Sequence, residues 1–341
     1  MDAANEPYSI TFIDRMIGAR LPALVLIACA ALTLGSVGAW AQDWPNRPVK
    51  VIVPYGPGGI TDVIARLFGD RLTKAYGQPF VIENRGGAGG AIGTEYAVRS
   101  PNDGYTIYFA GGAPITILPQ MQKLSFDPTK DLTPVGMVTV NGMAFTVHPD
   151  LPVRSLQDLI ALAKKKPGSL NYTSSGNGSA PHLGAAHFSA VTGVEMVHIP
   201  YKGGAPAIAA VVAGDAQLTF GTPPSVLPMV QAGRLRAIAV TSPNRTPLVP
   251  NVPGTAESGL PSYGLSFWYG LFVPVGTPPE IVRRLFDAAQ DALQRTDVKA
   301  VLAREGAEIA PSRSPDEFAA FLEGDNRFWA KLVKDAGVKP E

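Results

Sequence analysis

The chain has 341 residues, of which 29 are Lys or Arg, 28 are Asp or Glu and one is Cys. A formal charge of +1 without basic runs excludes an electrostatic footprint for nucleic acid or an anionic membrane surface. The length suffices for two domains of ordinary size.

The first 41 residues read as an export signal. Residues 21–38 are apolar and uncharged, follow Arg15 and Arg20, and lead into Ala39-Trp40-Ala41. This A-x-A site predicts cleavage after Ala41 and a mature start at Gln42. As a membrane anchor the stretch is marginal in length. Asp2, Glu6 and Asp14 are unusual in an n-region, so Met16 is an alternative start, and Leu26-Ile27-Ala28-Cys29 is an alternative lipoprotein box. With Cys29 removed, the mature chain has no cysteine, which excludes disulfide and thiol chemistry and suits an oxidising compartment. Residues 1–41 carry two basic and three acidic side chains, leaving 27 against 25, a balance of +2. The expected location is periplasmic.

Residues 49–53 (VKVIV) predict a buried parallel strand. Tyr55-Gly56-Pro57-Gly58-Gly59 follows as a loop with almost no side chains. Thr61 is the expected N-cap of a helix over 61–76, with Asp62 in its first turn, Val63, Ile64, Leu67 and Phe68 on one face, and Gly77 as its stop. A strand, a glycine loop and a helix start in that order make an anion site. Unblocked N–H groups point outward, and the helix dipole adds roughly half a positive charge. The alternative is an ordinary βα turn. A strand at 80–83, a glycine run at 86–90, a helix at 92–99 and a strand at 105–110 ending in Gly111-Gly112 continue the alternation. This pattern predicts a parallel sheet with helices on its faces and strand C-termini on one edge, where such sheets bind ligands. Residues 134–147 give two strands around Asn141-Gly142, a crossing to another domain.

The second half repeats this logic. Ser155 caps a helix to Lys166, with Leu156, Leu159, Ile160 and Ala163 inward. A strand at 170–173 leads into Ser174-Ser175-Gly176-Asn177-Gly178-Ser179 and a helix opened by Pro181. A strand at 195–199, the loop Tyr201-Lys202-Gly203-Gly204, a helix at 206–213, strands at 218–220 and 235–240 and a helix at 224–232 complete this half. Residues 245–263 form a Pro- and Gly-rich connection, 266–273 a strand returning to the first domain, and 279–294, 296–304 and 315–336 helices. The expected division is lobe 1 from 42–140 plus 265–341 and lobe 2 from 141–264. Each lobe is α/β, a mostly parallel sheet flanked by helices, and a ligand cleft lies between them.

No G-x-S-x-G, C-x-x-C, H-E-x-x-H or P-loop motif occurs. Ser175 or Ser179 near His182 could suggest a nucleophile and base, but Ser179 and His182, three positions apart at a helix start, fit a cap and a first-turn residue. Gly87 to Gly93 matches G-x-G-x-x-x-G, yet it follows the second strand and lacks a strand-ending acid about 20 residues on. His148, His182, His187 and His198 are scattered, which disfavours a metal site; His148 and His198 read as structural. Tyr55 and Tyr201 each precede paired glycines and fit either core packing or a ring over the cleft. What remains is a site of backbone amides and hydroxyls, with Lys202 the only basic residue in the three richest loops. Such a site suits a small carboxylate that must be released.

Six segments carry a family resemblance: WPNRPVKVIVPYGPGGITDVIAR, VIENRGGAGGAIG, NYTSSGNGSAPHL, YKGGAPAIAAVVAGD, QAGRLRAIAVTS and GLFVPVGTPPEIVRRL. From Trp44 onward the sequence resembles the substrate-binding proteins of tripartite tricarboxylate transporters, the Bug or TctC-like family. The resemblance implies a type II periplasmic-binding-protein fold, a two-lobed flytrap that closes on an organic carboxylate and delivers it to membrane transporter subunits. It implies that the loop from Tyr55 to Thr61 holds one carboxylate and that Ser174 to Ser179 and Tyr201 to Gly204 contribute from the second lobe. The family usually has an aspartate shortly after the Gly214 position and often another after the next strand; here Gln217 and Gly221 stand there, with Asp215 nearby. That disfavours an ammonium-bearing ligand and favours a di- or tricarboxylate or an aromatic acid. The expected contacts are the side chains of Thr61 and Ser175 and the backbone at Gly58, Gly59, Gly112, Gly178 and Gly204, with Tyr55, Ser174, Ser179 and Tyr201 in the same loops. No cofactor, metal, nucleic acid or catalysis is expected, and a monomer is. The alternatives are a sensor that reports to a signalling partner and a secreted hydrolase.

Overall fold

The VKVIV run forms β1 (Val49–Val53), with every residue buried except Lys50. It is the start of a two-lobed α/β fold in the computed structural model, which describes residues 44–201 and 203–335. The export signal, its cleavage after Ala41, the alternatives at Met16 and Cys29, and Lys202 lie outside the described residues. The first lobe continues with α1 (Ile60–Tyr76), β2 (Phe80–Asn84), α2 (Ala91–Val98) and β3 (Thr106–Gly111). A π-helical turn (Ala113–Ile117), the short helices α3 (Leu118–Met121) and α4 (Pro128–Asp131), and β4 (Leu132–Asn141) follow.

The chain then crosses to β5 (Ala144–Val147), α5 (Leu156–Lys165), β6 (Asn171–Ser174), α6 (Ala180–Thr192), β7 (Val197–Pro200) and α7 (Gly204–Ala213). It completes this lobe with β8 (Leu218–Gly221), α8 (Pro223–Gln231) and β9 (Arg236–Val240). It returns as β10 (Phe267–Pro274) and ends in α9 (Pro279–Gln294), α10 (Thr296–Arg304), β11 (Glu308–Ile309) and α11 (Pro315–Asp335).

The sheet orders are β11-β4-β10-β3-β1-β2 and β7-β6-β8-β5-β9. β1 runs parallel to β2 and β3, and β6 parallel to β7 and β8, as alternation with helices requires. The strands that carry the chain between lobes add antiparallel partners. β10 pairs with β3 and along its whole length with β4, and β5 pairs with β8 and β9. Both sheets are therefore mixed, not mostly parallel.

At α1 the structure corrects the expected cap. Gly59 is the N-cap and Thr61 the second helical residue, so no side chain caps this end. Asp62, three residues after the cap, reaches back instead. Its carboxylate accepts from Gly58 N–H (2.9 Å), Asn84 Nδ2 (2.9 Å) and Arg66 Nε (2.9 Å). One loop amide is thus already occupied by an internal anion. Gly77 ends the helix in the left-handed region at φ 69°.

The two crossings meet at Thr241, which is fully buried. Its N–H donates to the Met143 carbonyl (2.7 Å) and its hydroxyl to the Leu265 carbonyl (2.7 Å). In turn Met143 N–H donates to its Oγ1 (2.8 Å) and Leu265 N–H to its carbonyl (3.0 Å). One side chain joins the outgoing and returning chains. α11 provides a second tie, because Phe318 and Leu322 pack with Tyr108, Trp268 and Phe272, whereas Trp329, Leu332 and Val333 pack with Phe145 and Phe188. Between these two groups, the Asp325 carboxylate accepts from Thr116 Oγ1 (2.6 Å), Trp268 Nε1 (2.9 Å) and Trp329 Nε1 (3.1 Å). Burial holds this carboxyl above its usual range despite those three donors.

Thr241→Val keeps the shape but leaves a buried N–H and a buried carbonyl unpartnered, so a loss of about 1–3 kcal/mol is expected in urea unfolding. Stability equal to the parent would show that the Thr241 joint contributes nothing.

Candidate functional site

A cavity of about 350 Å³ opens at the C-terminal ends of the parallel strands. Tyr55, Thr61, Gly111, Gly112, Ala113, Phe267 and Tyr269 line it from the first lobe. Asn141, Gly142 and Met143 line it from the outgoing crossing, and Ser175, Ala180, Pro181, Gly204, Ala207, Ile208, Thr219, Phe220, Gly221, Thr222 and Ser225 from the second lobe. None of these residues is Asp, Glu, Lys, Arg or His.

Four helices begin at the cavity. Thr61 is the second residue of α1, Ala180 and Pro181 open α6, Gly204 opens α7, and Thr222 is the N-cap of α8. Each follows a parallel strand, so the same strand–turn–helix geometry aims each helix dipole inward and leaves first-turn amides without intrahelical partners. α8 contributes hydroxyls rather than amides, because Pro223 and Pro224 occupy its first two positions.

Two tyrosines complete the first-lobe wall. Burial pushes the Tyr269 phenol up to about 12, against a hydrogen bond with Thr61 that lowers it. Tyr55 is raised further, chiefly by burial and then by Tyr269. Both phenols therefore keep their protons at neutral pH. Neutral O–H groups, helix N-terminal N–H groups and converging positive dipole ends among the described lining residues can solvate an anion.

Of the residues expected in the site, Tyr55, Thr61, Gly112, Ser175 and Gly204 line the cavity. Gly58 and Gly59 are exposed on the loop before α1, and the Gly58 amide is held by Asp62. Ser174 is buried, with its Oγ 2.6 Å from His198 Nε2. Gly178, at φ 70°, stands against Met121, and Ser179 Oγ donates to the Gly176 carbonyl (2.6 Å). Tyr201 N–H donates to the Ser174 carbonyl (3.0 Å), and its side chain does not line the cavity. Ser179 and His182 do not meet as nucleophile and base, since His182 Nδ1 accepts from Gly178 N–H (3.0 Å).

The residues missed by sequence reasoning are mostly long-range. Tyr269 enters through the register of β10, which sets it opposite Gly111. Met143, Ile208, Phe220 and Phe267 give the cavity an apolar wall. Thr222 and Ser225 had a local signal, the turn after β8, that repeats the pattern after β1. Gly221 lines the cavity, and packing keeps it glycine, because a Cβ there would lie 2.3 Å from Val226 Cγ1. Gln217 is structural, with its Oε1 accepting from Asn171 N–H (2.8 Å).

Residues 64–338 match the family model TctC, described as tripartite tricarboxylate transporter family receptor. The chain belongs to that family. It is 36% identical over 301 residues to protein BugT of Bordetella pertussis, covering 88% of this chain and 92% of BugT. Among solved structures, a Rhodopseudomonas palustris protein with adipate is 36% identical (TM-score 0.76), covering 88% of this chain and all of that one. MatC from Rhodopseudomonas palustris with bound malate is 30% identical (TM-score 0.72), covering 85% of this chain and all of MatC. The fold and the family are those of periplasmic solute-binding receptors.

Gly204 lines the cavity and a Cβ there would meet nothing within 4 Å, so a larger side chain fits without displacing a neighbour. Gly204→Leu should keep its Tm within about 2 °C of the parent and weaken ligand binding at least tenfold by calorimetry. Unchanged affinity in the folded variant would remove the start of α7 from the site.

Proposed function

We propose that this receptor captures a small organic carboxylate lacking an ammonium group in the cavity between its lobes and delivers it to a tripartite-type membrane transporter. The observation that carries this reading is the convergence of four helix N-termini on a cavity with no ionised side chain among its described lining residues. An anion gains there from dipoles and N–H donors, whereas an ammonium group finds no carboxylate among the described lining residues. Gly221 stands where the resemblance implies an aspartate in the family, and a Cβ there would lie 2.3 Å from Val226 Cγ1. Adipate in one relative and malate in another support a dicarboxylate, and the apolar wall of Met143, Ile208, Phe220 and Phe267 favours one with a hydrocarbon body.

Thr61 and Ser175 are the proposed side-chain contacts, one from each lobe, with Gly112 and Gly204 allowing close backbone approach. The lobes divide near residues 141 and 264. A ligand bridging them stabilises the closed arrangement and shifts the population towards it. The receptor works as a periplasmic monomer after cleavage behind Ala41 and catalyses no reaction itself.

A thermal-shift screen of the chain from Gln42 tests this, using adipate, malate, citrate, benzoate, aspartate and lysine on protein freed of bound ligand. A ligand at one hundred times its Kd stabilises by about 2.7 kcal/mol. At roughly 2–4 °C per kcal/mol that raises Tm by at least about 5 °C. A shift of this size with an ammonium-free carboxylate is expected. The largest shift with an amino acid, or none with any carboxylate, would contradict the proposal.

A further inference from the structure

The loop between β6 and α6 is held from both sides by imidazoles that sequence reasoning assigned no function. Ser175 is its contribution to the cavity. On one flank, Ser174 Oγ lies 2.6 Å from His198 Nε2; on the other, Gly178 N–H donates to His182 Nδ1 at 3.0 Å. The two rings stack face to face, with centroids 4.1 Å apart and planes 4° from parallel. Tyr172 stacks on His198 in turn (4.9 Å, 17°). The anchors thus form one aromatic column spanning β6, β7 and α6.

The hydrogen-bond geometry fixes the charge state. A ring nitrogen that accepts from an amide N–H carries no proton, so His182 is neutral with its proton on Nε2. Protonation would set an N–H against the Gly178 N–H and a charge against its stacked neighbour. The titratable groups facing the pair are Tyr172 from β6 and the two imidazoles themselves, from α6 and β7. α7 and β8, which also pack on β6, contain no ionisable residue; α11, which packs on α6, carries Asp325, Arg327 and Lys331, whose partners are Thr116, Glu323 and Asp335, and among the described residues no carboxylate is paired with either ring.

We propose that His182 and His198 are positioning residues for ligand binding: as a neutral stacked pair they hold Ser175 at the cavity wall, and their protonation frees the loop and weakens ligand capture. This rests on the cavity being the ligand site. Burial lowers both imidazoles, and His198, burial first and the adjacent His182 second, falls to about 4. The sign follows from linkage. A depressed imidazole pKa means the unfolded chain binds more protons, so the contribution of the neutral pair is complete above about pH 6.5 and is lost as pH falls towards 4.

Two readouts separate this inference from the ligand-site reading. The first needs no ligand: protein labelled with ¹⁵N-glycine and ¹³C-histidine is titrated by NMR from pH 7.5 to 4. Both imidazoles should titrate below their ordinary value, and the Gly178 amide resonance should move with His182. A His182 titration that leaves Gly178 unmoved would overturn the anchor. The second is the adipate Kd at pH 7.5 and 4.5 in the parent and in His182→Asn/His198→Gln, which keeps hydrogen-bonding atoms near the same places without titrating. The parent should lose at least about twofold more affinity than the variant over this range, the variant accounting for protonation of adipate itself. Equal losses, or no adipate binding by a parent whose Gly178 amide follows His182, would overturn the role in capture; the second outcome would count equally against the dicarboxylate reading, leaving the loop anchor intact.

Discussion

A carboxylate in a protein cavity needs compensation for the water it gives up, and here no arginine or lysine among the described lining residues supplies it. The compensation has to come from backbone amides, hydroxyls and helix dipoles, and that requirement organises the rest of the site. Four strands must deliver their helices to one place, and each turn must be small enough for backbone to face the cavity. Tyr55 and Tyr269 offer protonated phenols, which burial carries still further from ionising. Neutral donors also suit a receptor that has to release its ligand, since no ion pair must be broken.

Such a cavity depends on two lobes being held in register. Thr241 joins the outgoing and returning chains through four hydrogen bonds within a few residues. α11 packs one end on the first-lobe core and the other on the second, with Asp325 gathering Thr116, Trp268 and Trp329 between them. The same cluster shapes the cavity, because Trp268 Nε1 stands 3.0 Å from where a Cβ on Gly112 would lie. Gly112 is thus held to glycine by packing.

The fold was legible where local rules act alone. Periodicity, glycine stops and the Ser155 cap, whose side chain accepts from Asp158 N–H, placed nearly every strand and helix within a few residues. The mixed sheets were not legible, because the partners of β10 and β5 are set by where the chain crosses and not by their own sequences. In the site, strand–turn–helix logic reached Tyr55, Thr61, Gly112, Ser175 and Gly204. It put free amides at Gly58, where the Asp62 carboxylate competes successfully over a single helical turn. Tyr269, Met143, Phe220 and Ile208 depend on register and lobe packing, which no local pattern encodes. His182 and His198 looked unrelated at 16 positions apart, and only the parallel pairing of β6 with β7 brings their rings together.

The central claim, that a carboxylate is held by helix starts and hydroxyls without a cationic side chain, is tested most directly by a crystal structure with the ligand that gives the largest thermal shift. The account predicts carboxylate oxygens within hydrogen-bond distance of the Thr61 hydroxyl and of first-turn amides of α1 and α7, with the ligand body against Met143 and Phe220. A carboxylate paired with the Lys202 ammonium, or turned towards solvent while another group occupies the helix starts, would contradict it.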